Sequence, residues 1–258
     1  MGAGAELDGI QAQAIRIRTK WAPQDQATRA LLESTLRRGD AVRAAELRAQ
    51  LAGALLSRDE PAAARAELAL AREHFDDSAT SQGSQWLLNA ELAVDLYEGL
   101  PLAAWERIRN VPFADVGPLT ACHQRELKMG AAVAAAAVVD DPQPLLLEAT
   151  SLADELAGYP MWTARVAAAR GRGAIAWIRG DREAALLALD RMDQACEDAG
   201  MRPDQMKAGI RVRRGQVLGG AQGATWIAEG LAALRHSGVV DPLRWLQWRH
   251  PGYPPPRF

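Results

Sequence analysis

The chain has no run in which Val, Ile, Thr and Tyr alternate with polar residues, and that absence argues against a β-sheet. Aromatic residues make up only 5% of its 258 positions while alanine fills several stretches, so its core must close through small and aliphatic side chains. Contacts of that kind suit helix against helix. Two cysteines, Cys122 and Cys196, stand far apart with no CxxC and no Cys/His cluster. This excludes a disulfide framework and a zinc site, and fits a reduced cytoplasmic setting. The longest apolar run, 130–139, is too short to span a bilayer, so no membrane is expected as a partner. The opening MGAGAELDGIQ has no basic segment followed by an apolar one and is not a signal peptide. Glu6 stands where a myristoylation pattern requires Ser or Thr. A net charge of −2 gives no long-range attraction to nucleic acid or anionic lipid. Lysine is confined to Lys20, Lys128 and Lys207, and the other basic residues are arginine.

What is present is enough apolar material, 48%, for one large domain or a continuous stack. Breakers recur along it, among them Ala22-Pro23, Gly39-Asp40, Ser57 to Pro61, Gly99 to Pro101, Asp140 to Pro142, Gly180-Asp181, Gly200 to Pro203 and Gly238 to Pro242. The intervals have helix length and predict about 12 or 13 helices in an all-α fold. Residues 1–250 are expected to form a single domain and residues 251–258 a Pro-rich tail.

Two kinds of punctuation alternate in the middle of the chain. A tight turn such as Gly180-Asp181 is followed by a longer Pro-bearing loop such as Gly200 to Pro203. The clearest unit runs from Gly171 to Pro203, with Gly173 ahead of the tight turn and Ala185, Leu189 and Met192 on the inner face of the next helix. A second runs from Ala45 to Phe75, with Leu51, Ala52 and Leu55 facing Ala64, Leu68 and Ala71 across Asp59-Glu60. Weaker pairs lie at Gln85 to Asn110 and His123 to Gly158. These positions resemble the tetratricopeptide (TPR) pattern, which implies antiparallel helix hairpins stacked as a TPR-like α-solenoid.

The C-terminal stretch carries Arg213, Arg214, Gly215, Leu218, Gly219, Gly220 and Gly223, then Gly238-Val239, Asp241-Pro242, Arg244 and Pro251-Gly252-Tyr253. It is similar to the end of the TPR regions in large bacterial eukaryotic-like Ser/Thr protein kinases. The resemblance implies a sensory or docking module beside a signalling enzyme. Trp245, Trp248 and the tail PPPRF depart from that pattern. A terminal cap on a helical stack accounts equally for the stretch, with a helix ending at Gly219-Gly220 and another from about residue 223 to His236.

Catalytic signatures are missing. There is no kinase glycine loop, HRD or DFG, and no Walker A, HExxH or GxSxG. Gly171 to Ala176 formally fits a dinucleotide fingerprint but lies within a helical pattern, so no cofactor is expected. His74, His123, His236 and His250 are scattered and read as helix-end or surface residues, leaving no metal site. The acidic pairs Asp76-Asp77, Asp140-Asp141 and Glu197-Asp198 read as turn and cap residues.

The expected activity is therefore binding, of a protein or peptide, by an adaptor or sensor that regulates a signalling enzyme. In the TPR register Arg170 and Trp177 turn toward the groove that such repeats present, and Trp177 could equally plug a seam between hairpins. Arg211 and Arg214 share a helix face and form a second candidate, for an acidic peptide or phosphate, or a solvated surface. The alternative is a small-molecule receptor with a pocket between hairpins. Self-association through the Ala-rich helix near residue 130 is a further expectation.

Overall fold

The computed structural model describes residues 21–74, 82–112, 117–199 and 204–255, which form twelve helices and, among them, no strand. In chain order these are α1 (Trp21–Arg37), α2 (Ala41–Ser57), α3 (Pro61–Arg72), α4 (Gln82–Tyr97), α5 (Pro101–Ile108) and α6 (Pro118–Ala136). They continue as α7 (Gln143–Ala157), α8 (Trp162–Ile178), α9 (Arg182–Asp198), α10 (Asp204–Leu218), α11 (Gly220–His236) and α12 (Pro242–Arg249). The expected Asp76-Asp77 turn lies outside the described residues.

Local chemistry explains the tight turns. After α1, α2, α4 and α8 the chain passes through one residue of positive φ, at Gly39 (73°), Asp59 (60°), Gly99 (73°) and Gly180 (78°). At each, two backbone N–H groups turn back onto the last carbonyls of the helix, as when Asp181 donates to Ala176 and Gly180 to Trp177. This satisfies carbonyls that the helix end would otherwise leave unpaired. The next helix then starts at once. Asp40 and Asp181 accept from Arg43 and Ala184 as N-caps, while Pro61 and Pro101 occupy first-turn positions that need no N–H.

Each helix packs on its sequence neighbours, and the first helices of successive pairs, α2, α4, α6 and α8, also touch in turn. The inner positions read from the sequence are buried on both sides of the first pair, from Leu51 and Leu55 to Ala64, Leu68 and Ala71. Burying each leucine contributes about 1.5–3 kcal/mol. Gly215 and Gly223 let α10 and α11 approach backbone to backbone, since a Cβ on Gly215 would lie 2.6 Å from the Gly223 carbonyl oxygen. α11 begins at Gly220, three residues earlier than the sequence suggested, because Gly219 and Gly220 reverse the chain with positive φ. Ala131 to Ala136 are all buried within the molecule.

α2 meets the last two described helices. Leu51 and Leu55 of α2 belong to the same apolar core as Leu234 of α11 and Trp245 and Leu246 of α12. The Val240 N–H donates to the Ser57 carbonyl at 2.9 Å. Between α3, α4 and α5, the buried carboxylates of Glu91 and Asp95 are paired by Arg65, Arg72 and Arg107, so both charges are compensated.

Candidate functional site

α12 starts at Asp241, whose carboxylate accepts from the N–H groups of Leu243 and Arg244, with Pro242 in the first turn. Beyond the helix, burial continues through Pro251, Gly252 and Tyr253, past the boundary at 250 that composition suggested. This segment lies against the first helix of four consecutive pairs. α12 packs on α4. Pro251 approaches Gly130, and Gly252 approaches Val133 of α6 and Ala174 of α8. Tyr253 reaches Gly173, and the His250 ring lies on Gly209 of α10. Glycine at 173 and 209 leaves the room that this segment fills.

Arg213 holds the segment in place. Its guanidinium is fully buried and donates to the carbonyls of Leu246 (2.9 Å) and His250 (2.8 Å) and to Gln216 Oε1 (2.6 Å), with the Tyr253 ring at 4.9 Å. Two of those acceptors are end-of-helix carbonyls of α12, where a cation also complements the helix dipole. Burial lowers the guanidinium pKa to about 9, so it remains charged at neutral pH. Burial also holds His250 neutral, with Arg213, Arg170 and Arg249 opposing its protonation.

The four residues singled out in the sequence do not form one site. Arg170 donates to Glu126 (2.7 Å) and to the Arg249 carbonyl (3.3 Å), and Trp177 stacks on Tyr253 with ring centroids 6.0 Å apart. Both therefore contact the chain's own C-terminal segment. Arg211 is half exposed beside Glu229, and Arg214 is paired with Asp190 and Asp193 of α9. Gly171 and Gly173 sit inside α8, and Gly171 accommodates Met129 of α6. Cys122 and Cys196 are buried and form no disulfide, and burial raises the Cys196 thiol to about 11. Asp141 accepts from the Gln143 N–H at a helix start, while Glu197 pairs with Lys207.

Sequence reasoning missed two features. His250 ends α12 but is only 1% exposed, not a surface histidine. It lines a small chamber of about 50 Å³ with Trp162, Thr163, Arg170, Trp245 and Arg249. The second feature is an open groove of about 470 Å³ along α8 and α9, on a different face of α8 from the one that meets Tyr253. Its floor includes Ala168, Ala169, Ala188 and Ala195, and Arg165, Arg172 and Arg191 stand around it with Leu187. The signal was available as arginines spaced seven residues apart on one side of α8, over alanines. Among the described residues no helix is long and apolar enough to cross a membrane, and no cluster of His, Cys, Asp or Glu could hold a metal ion. No protein-family model, no curated protein and no solved structure matches the chain.

Proposed function

We propose that the chain is a TPR-like helical-repeat adaptor that binds a protein or peptide, and that an acidic, amphipathic segment of the partner lies in the groove along α8 and α9. The groove itself carries this reading. Alanines on its floor let a partner backbone approach closely, half-exposed Leu187 offers apolar area, and Arg165, Arg172 and Arg191 outnumber the single carboxylate of Asp198 on its walls. Arg172 already pairs with Asp154, which leaves Arg165 and Arg191 to meet carboxylates of the partner. The face containing Arg170 and Trp177 is filled by the chain's own C-terminal segment, so an incoming partner finds its free surface elsewhere.

The resemblance of the C-terminal motif to kinase-linked helical regions makes a signalling kinase the first partner to test. Buried thiols that form no disulfide fit a cytoplasmic setting. The test is a peptide-display selection on the full chain. Enriched sequences should be acidic with aliphatic residues at helical spacing, and binding should fall at least about tenfold when Arg165→Glu and Arg191→Glu are combined. Enrichment of basic sequences, or binding indifferent to that double substitution, would overturn the reading.

A further inference from the structure

The outer groove is walled by two continuous helices. α8 contributes Arg165, Ala168, Ala169 and Arg172, and α9 contributes a stripe from Ala184 to Asp198 at steps of three and four residues. At about 1.5 Å per residue the stripe is about 21 Å long, roughly four helical turns. Within each wall the backbone N–H and C=O groups bond along their own helix, so neither wall offers backbone partners to an extended chain. The described residues contain no strand, and hence no sheet edge to which a strand could add. Among them no aromatic ring lines the groove, so it lacks the platforms on which polyproline segments dock. A segment seated on alanine methyls must satisfy its own backbone, which an α-helix does.

Charge sets the register of that helix. Arg165 and Arg172 stand two turns apart, about 10 Å, along one wall. A Cβ on Gly173 would lie 3.5 Å from the Ala188 Cβ, which fixes the level of α9 against α8. One turn beyond Ala188, Arg191 therefore stands on the opposite wall between the levels of Arg165 and Arg172. Arg172 pairs with Asp154, and among the described residues Arg165 and Arg191 pair with no carboxylate. A second copy of this groove would set arginine against arginine, which disfavours self-pairing on this face.

On the reading that this groove is the binding face, we propose that its occupant is a single amphipathic α-helix of about four turns with a defined acidic register. Two of its carboxylates, seven residues apart, meet Arg165 and Arg172, and a third, three or four residues from each, meets Arg191. Aliphatic side chains on the same face meet half-exposed Leu187. The alanine floor lets the two helix layers approach to about 8 Å between axes.

The test selects two displayed libraries of peptides of about 16 residues on the full chain, each with three fixed glutamates and the same overall composition. One fixes Glu at i, at i+3 or i+4, and at i+7, and the other at i, i+2 and i+4, the period of an extended chain. The helical register should enrich at least about tenfold over the extended one, and proline should be absent from the central positions of its winners. Carbon chemical shifts of a labelled winner should move to helical values on binding, and Leu187→Glu should weaken that winner about tenfold. Acidic winners that favour the extended register, carry central proline or stay extended when bound would overturn the helix and leave the groove as the binding face. No acidic winner from either library, or winners indifferent to Leu187→Glu and to Arg165→Glu combined with Arg191→Glu, would overturn the groove and the helix together.

Discussion

Arg244, in the last helix, donates to Asp59 Oδ1 at 2.5 Å across a separation of 185 residues, and Asp59 holds the turn between α2 and α3 with φ at 60°. The other three turns of this type place glycine at that position. Asp59 is the exception because its carboxylate has work that glycine could not do. It also accepts from the Tyr97 hydroxyl at 3.1 Å, while Arg244 lies over the Tyr97 ring at 4.6 Å. One strained residue thus joins the second helix, the fourth and the last.

Substitutions at Asp59 should rank by which of these two properties they retain. Asp59→Asn keeps a side chain that tolerates positive φ and still accepts from Tyr97, so its cost should be smaller than that of Asp59→Ala, about 1–2 kcal/mol. Both partners are about one-third exposed, which screens the pair. A double-mutant cycle of Asp59→Asn with Arg244→Gln, read by urea denaturation, should give a coupling of about 0.5–1 kcal/mol. Zero coupling would mean that the charge contributes nothing and that only the turn matters.

Arg213 should be the most sensitive position in the chain. Arg213→Met fills similar volume but strands the His250 carbonyl in the interior and leaves the Leu246 carbonyl only the His250 N–H, and should cost about 3 kcal/mol or more. Arg213→Lys should be nearly as damaging, because an ammonium on a flexible stem cannot reproduce the planar fork that meets both carbonyls. Equilibrium unfolding of both variants checks this, and a lysine variant as stable as the parent would show that charge alone suffices.

The pairs of helices were legible because their causes are local. Gly180 before Asp181, or Pro61 after a polar turn, sets its own backbone within a few residues. The position of Arg213 was not legible. It is one arginine among many, and its acceptors are backbone carbonyls 33 and 37 residues away, which no side-chain pattern marks. Nothing in the spacing of Arg213, Gly252 and Tyr253 marks them as neighbours, yet the structure brings Arg213 to Tyr253 and seats Gly252 against α6 and α8. Trp177 was readable as either groove or seam, and it stacks on Tyr253, a residue composition had assigned to a tail.

Acid should weaken the fold through His250. Burial first, then the charges of Arg213, Arg170 and Arg249, hold its folded pKa well below the ordinary 6.5, while Glu126 is the one carboxylate across the chamber from it. Below pH 6.5 the unfolded chain binds a proton that the folded chain does not, so stability is fully present above that pH and is lost as pH falls. The slope approaches about 1.4 kcal/mol per pH unit. His250→Gln cannot titrate, and the difference in unfolding free energy between parent and variant should shrink steadily from pH 7 to 5. A constant difference would mean that His250 accepts a proton when folded.

Gly252 offers the sharpest separation of backbone strain from packing. Its φ is 86°, and a Cβ there would lie 2.8 Å from the Ala174 Cβ and 3.3 Å from the Val133 Cβ, neither of which can move without shifting a helix. Gly39 has nearly the same φ, 73°, with nothing within 4 Å of its added Cβ. Gly39→Ala should therefore cost only the strain of positive φ, about 1 kcal/mol, whereas Gly252→Ala adds an overpacking cost of about 1–3 kcal/mol. The extra cost falls on the seating of the C-terminal segment, so Gly252→Ala alone should speed proteolytic cleavage within residues 242–255. Equal destabilisation by the two substitutions, with unchanged cleavage, would mean that the segment yields to the new methyl group and is held chiefly by Arg213.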